Sequence, residues 1–184
     1  AMARNTENKA TTTKNNLPLY TVTSENSLLV PSYNVFPLPL ESPYFGTRGL
    51  EVTPEDAVAS PLGWHSDGTT TYAYTKGNNV AAYDDGPGDD TGSLADHTPE
   101  STPGTLIFDY PFDSTAPSGD PNYFAAMQSE DAAITNLFYW NNIIHDITHH
   151  YGFDAVSGNF QEDNGAAGGA GSDSVDAEAQ DEAD

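Results

Sequence analysis

The longest periodic stretch of the chain lies near residues 130–151. Leu137, Trp140, Ile144, Ile147 and Tyr151 recur there at spacings of 3, 4, 3 and 4, the repeat of one face of an α-helix. The spacing predicts one long helix with that stripe buried. Ser129 stands where an N-cap belongs, and Glu130 and Asp131 occupy the first turn, where carboxylates favour the positive end of the helix dipole. Gly152 is placed to end the helix in the left-handed conformation, with Phe153 packing back.

Elsewhere the apolar pieces are short. Residues 17–43 mix them with Ser and with Pro31, Pro37, Pro39 and Pro43, which predicts edge strands and extended connections. In residues 62–84 the pattern predicts a turn at Ser66-Asp67-Gly68 and a strand over Thr70–Tyr74. A second turn at Lys76–Asn79 and a continuation from Val80 to Tyr83 follow. Residues 84–105 have turn composition throughout, and LIFDYPF at 106–112 is a short strand cut by Pro111. The fold class is therefore α+β, mainly β and loop-rich, with one long helix. Three regions are expected: a polar leader or expression remnant at 1–16, a β-rich unit with the helix at 17–161, and an acidic Gly/Ala-rich tail at 162–184. The tail has one large apolar residue, Val175, and is expected to be mobile unless a partner or a metal orders it.

Charge sharpens this picture. The 184 residues carry 28 Asp and Glu against 5 Lys and Arg, a net charge of −23. The cations are Arg4, Lys9, Lys14, Arg48 and Lys76, so none follows residue 76. Such a polyanion is a poor partner for nucleic acid. It suits a salt-rich medium and can attract divalent cations. No apolar run approaches the ~20 residues that a membrane-spanning helix needs, and the absence of cysteine excludes disulfides.

Two places offer metal chemistry. HDITH at 145–149 sets His145 and His149 at i and i+4 on one helix face, a spacing at which two imidazoles can meet one zinc ion. Asp146 follows the first histidine, one methylene short of the glutamate of HExxH, and no third ligand is evident. The alternative is a pair of structural histidines. DDGPGDD at 84–90 gathers Asp84, Asp85, Asp89 and Asp90 around a Gly-Pro-Gly turn, calcium ligands by type but without the alternating spacing of an EF-hand. His65 and His97 read as turn and loop residues, the glycines at 165–171 lack the lysine of a phosphate loop, and no GxSxG occurs.

Several segments together resemble a known family. LFYWNNIIHDITHHYGFDAVSGNFQ at 137–161, GWHSDGTTTYAYTKGNNVAAYDD at 63–85, YNVFP at 33–37, LIFDYPF at 106–112 and GGAGSDSVDAEAQD at 168–181 are similar to the fungalysin family of secreted zinc metalloendopeptidases. The resemblance implies the N-terminal lobe of a thermolysin-like catalytic domain. It also implies a secreted parent that hydrolyses protein or peptide substrates by metal-activated water. In that family the zinc is held by a separate HExxH helix and a later glutamate, and no HExxH occurs in this chain. His145 and Asp146 match a structural pair of the family, with Leu137, Trp140, Ile144, Ile147 and Gly152 as structural positions, and no catalytic residue carries over. Gly165-Ala166-Ala167 and Asp181–Asp184 depart from the family pattern.

The resemblance thus implies a lobe inactive by itself, with zinc in the parent, a missing C-terminal half as its natural partner, and self-association of the helix stripe in isolation. The competing readings are a non-catalytic structural or self-assembling extracellular module and an acidic, calcium-stabilised binding domain.

Overall fold

A computed structural model describes residues 29–40, 43–85, 98–112 and 129–179. The leader at 1–16, Asp89, Asp90, His97 and Asp181–Asp184 lie outside the described residues. The architecture is α+β and loop-rich, built among the described residues on five short strands and one long helix.

β1 (Ser32–Val35) is the central strand of the larger sheet, and it is central because Tyr33 and Val35 are both fully buried. It pairs antiparallel with β2 (Gly49–Val52) in a register that sets Tyr33 opposite Glu51, and parallel with β4 (Ile107–Phe108). β3 (Val80–Asp84) forms a second, two-stranded sheet with β5 (Val175–Ala179). The pairing is parallel, with Val80 opposite Val175 and Ala82 opposite Ala177. The helix α1 (Glu130–His150) packs on β1, β3 and β5 and so joins the two sheets.

Aromatic rings fill the junction. Trp64, Tyr33, Phe108 and Phe138 are fully buried, with Tyr33 in ring contact with each of the other three. His65 lies inside this cluster, 5.0 Å from Phe108 and 4.9 Å from Phe138 between ring centroids. Its Nδ1–H donates to the Tyr74 carbonyl at 3.0 Å and its Nε2 accepts from the Tyr33 hydroxyl at 2.8 Å. A β-carbon at Gly77 would lie 1.6 Å from the Trp64 carbonyl oxygen, so only glycine allows the 76–80 turn to close on the segment that carries Trp64.

Three expectations from the sequence are corrected. Thr70–Tyr74 is not a strand; it contributes isolated bridges, Ser66 to Thr71 and Tyr74 to Glu100. The reason is Asp67, whose carboxylate accepts from the Thr69 and Thr70 amides, the Thr69 hydroxyl and the Tyr72 hydroxyl. That local turn competes with ladder formation for the same backbone. The region after Phe160 is not a mobile tail throughout, because Val175–Ala179 is β5.

The third correction concerns α1, which runs as expected to His150 but turns a different face inward. Leu137 and Trp140 are half-buried against the core, whereas Ile144, Ile147 and Tyr151 are 54%, 43% and 88% exposed. The buried face is Ala132, Ile134, Thr135, Phe138, Tyr139, Asn142, His145 and Asp146. Hydropathy does not mark it because half of these residues are polar. Ser129 does not cap through its side chain, while Gly152 (φ +94°) ends the helix as expected. The Gly152 amide reaches the His149 carbonyl and the Phe153 amide the Thr148 carbonyl, the paired bonds of a Schellman ending.

The inverted face makes a direct prediction. Phe138→Ala lowers the unfolding free energy by about 3–5 kcal/mol, while Ile144→Ala changes it by less than about 1 kcal/mol, both read from urea midpoints. Burial pushes the His65 imidazole down to about 4, against the ordinary 6.5. The unfolded chain therefore binds the extra proton between those values and the folded chain does not, so His65's contribution is complete above pH 6.5 and is lost as pH falls toward 4. The loss amounts to about 3 kcal/mol. A His65→Phe variant shows a shallower fall in urea midpoint over that window than the parent chain.

Candidate functional site

The expected metal pair begins on the buried face of α1, and its surroundings decide its chemistry. Asp146 is 5% exposed. Its Oδ1 accepts from the Ser60 hydroxyl at 2.6 Å and from His145 Nδ1–H at 3.0 Å. Its Oδ2 accepts from the Asp56 amide and from Trp64 Nε1–H, each at 2.9 Å. Four donors thus converge on one carboxylate, and each of its oxygens is compensated.

The donors continue into a closed ring. Asn79 Nδ2 donates to Ser60 Oγ and to Asn142 Oδ1, and Gln161 Nε2 donates to Asn79 Oδ1. Asn159 Nδ2 donates to Gln161 Oε1 and to His145 Nε2 at 3.1 Å. The circuit Asp146–Ser60–Asn79–Gln161–Asn159–His145 is buried at every member. It joins α1, the start of β3, the loop at Ser60 and the segment after the helix. Phe160, between two ring members, holds φ +59°, a conformation that costs a non-glycine residue about 1 kcal/mol or more. The bonds on either side of it keep Asn159 and Gln161 turned inward.

This geometry assigns His145. With Nδ1–H on Asp146 and Nε2 accepting from Asn159, both ring nitrogens are committed inside the protein. No lone pair is left for a metal. His149, one turn later, has a buried Nδ1 without a hydrogen-bond partner, but a single imidazole nitrogen is not a zinc site. Zinc therefore does not fit the 145/149 pair. Among the described residues no group of three or more His, Asp or Glu is placed to hold a metal. The calcium candidates divide: Asp85 is fully buried at the end of β3, Asp84 is the last residue of that strand, and Asp89 and Asp90 lie outside the described residues.

A sequence comparison matches residues 32–184 to the profile of the fungalysin metallopeptidases. The chain belongs to that family. It is 41% identical over 150 residues to extracellular metalloproteinase 9 of Uncinocarpus reesii, covering 82% of this chain and 22% of that protein. It is 37% identical over 153 residues to extracellular metalloproteinase 2 of Phaeosphaeria nodorum, 83% of this chain and 23% of the other. With extracellular metalloproteinase 3 of Trichophyton tonsurans it shares 42% over 123 residues, 67% of this chain and 18% of the other. The chain spans less than a quarter of the length of these curated relatives. Among the described residues no helix is long and apolar enough to cross a membrane.

Sequence reasoning singled out His145 and Asp146 of this fungalysin-family ring and missed Ser60, Asn79, Asn142, Asn159 and Gln161. Asn79, Asn159 and Gln161 lie in GNNV and SGNFQ, segments that carry the family resemblance. Nothing in hydropathy distinguishes them from loop residues.

The ring predicts unequal costs. Asp146→Ala leaves four donors without an acceptor, and Asp146→Asn turns an amide NH₂ toward donors. Each lowers the unfolding free energy by about 3 kcal/mol or more. Ser60→Ala costs about 1–2 kcal/mol. Urea denaturation followed by tryptophan fluorescence measures all three, since Trp64 is itself a donor to Asp146.

Proposed function

We propose that this chain is the N-terminal lobe of a secreted zinc metalloendopeptidase and that its part in peptide hydrolysis is structural. The observation that carries the reading is the commitment of both His145 ring nitrogens inside the fold, in a chain of a metallopeptidase family. A lobe with its best helix histidine spent on Asp146 and Asn159 holds no catalytic metal there. The absence of HExxH from the sequence agrees with a zinc site built by other residues of the parent enzyme.

The lobe's contribution is a rigid support. The Asp146 ring fixes α1 against both sheets, and the outward face of the helix presents Ile144, Ile147 and Tyr151 to solvent. Phe153 and Phe160, in ring contact at 5.4 Å, and Val156 at 74% exposure extend the apolar surface beyond the helix end. An apolar area of this kind supports a docking face for the rest of the enzyme. The substrate of the parent is protein or peptide, and the lobe positions that docking face relative to it.

Zinc stoichiometry and peptide hydrolysis, measured on the same sample, test the reading. The 184-residue chain retains no zinc after dialysis and cleaves no peptide, whereas a parent chain including HExxH retains zinc and cleaves peptide. One zinc per chain with chelator-sensitive cleavage that His149→Ala abolishes would sink it.

The docking face has its own check. The isolated chain associates with rising concentration in sedimentation, and Ile147→Asp weakens that association while leaving the urea midpoint nearly unchanged.

A further inference from the structure

The acidic surface is compensated in an unusual way. Carboxylates are held by neutral donors: Asp56 by the Val58 and Ala59 amides, Asp67 by the amides and hydroxyls of its turn, and Asp154 by the Ser157 amide. Asp163 takes the Gly165 amide, Asp173 the Gln161 amide and Glu178 the Tyr83 hydroxyl. Such bonds stabilise the ionised form. Asp56 is pulled down to about 2, foremost by the Ala59 amide and then by His150. Asp67 is held well below the usual carboxylate range, chiefly by Tyr72, and Asp154 is lowered chiefly by Ser157.

Among the described residues, lysine and arginine side chains do little of this work. Histidines approach two of the carboxylates, His145 on Asp146 and His150 on Asp56. Arg48 is turned onto the carbonyls of Asn34 and Tyr110, and Lys76 lies over the Tyr72 ring. The fold therefore fixes these carboxylates in place, and the sequence supplies no lysine or arginine after residue 76. Folding brings these charges closer together than they are in the unfolded chain, so their mutual repulsion opposes folding.

We propose that this fold is conditional on ionic strength, with mobile monovalent cations from solution supplying charge compensation to a chain of 28 acidic and 5 basic side chains. No bound ion is required, since screening acts on the whole surface. The Debye length is about 30 Å at 0.01 M salt and about 3 Å at 1 M. The carboxylates interact across the lobe at the first value and are isolated from one another at the second. The inference concerns the stability of the lobe and stands independently of the role proposed for it in the parent enzyme.

Thermal melts of the 184-residue chain, followed by circular dichroism from about 0.01 to about 1 M salt, test it. Tm rises by roughly 10 °C or more, as a few kcal/mol would produce in a chain of this size. Sodium, potassium and choline chlorides act alike, and most of the rise is complete below about 0.5 M, where screening has already shortened the interaction range. A Glu100→Lys/Asp176→Lys variant, altering two exposed positions, melts higher than the parent chain at low salt and gains less from added salt. A flat Tm overturns the proposal. So does a rise produced only by millimolar calcium or magnesium, which identifies a specific cation site instead. A rise linear to molar concentration identifies salting-out of apolar surface, and a chain unfolded at every salt concentration overturns the proposal as well.

Discussion

The lobe depends on one buried carboxylate. Asp146 brings a carboxylate against an aromatic core, a placement stable only when its oxygens meet donors. Three of its four donors, the Asp56 amide, Ser60 Oγ and Trp64 Nε1, come from a single stretch of loop. Satisfying the charge therefore folds residues 56–64 onto the helix without any regular secondary structure there. Trp64 carries the constraint further. Its carbonyl leaves no room for a side chain at Gly77, and His65 follows it into the stack between Phe108 and Phe138. Helix, loop and both sheets are registered by a chain of contacts that starts at one residue.

The same residue explains how the sequence misleads. Apolar periodicity located α1 nearly to the residue at both ends, because length and caps are local properties. It chose the wrong face because it takes hydrophobicity as the sign of burial. Thr135, Asn142, His145 and Asp146 face inward, and for the last three the internal hydrogen bonds replace water. Ile144 and Ile147 face outward. The strands were found where side chains dominate, as at Val80–Tyr83, and lost where an Asx turn at Asp67 captured the backbone. β5 escaped notice because its sequence, VDAEA, has little apolar content, and its order comes from pairing with β3, a partner more than ninety residues away in the chain. The ring itself was half visible. His145 and Asp146 stand out by chemistry, whereas Asn79, Asn159 and Gln161 gain meaning only when the chain closes on itself.

The polar ring and the acidic surface handle negative charge in opposite ways. Inside, one carboxylate is compensated by directed donors at fixed distances, and its environment excludes water. Outside, carboxylates take from one to four neutral donors each and leave the remainder of their charge to solvent. The first arrangement is specific and insensitive to salt, because a buried pair is screened little. The second is collective and responds to salt everywhere at once. A fold of this type keeps its core geometry fixed by internal chemistry while its net stability varies with the medium.

An inward face assembled from polar groups also has a consequence for the outward one. Each position of α1 that the ring occupies is a position denied to an aliphatic side chain; Ile134 lies on the inward face, whereas Ile144 and Ile147 lie on the outward one. Water-exposed isoleucine adds little to a helix that is already pinned by hydrogen bonds. The apolar face at Ile144, Ile147 and Tyr151 and the buried face at Asn142, His145 and Asp146 are thus two results of one division of labour. Hydrogen bonds fix the helix against the two sheets, and apolar area is left on its outward face.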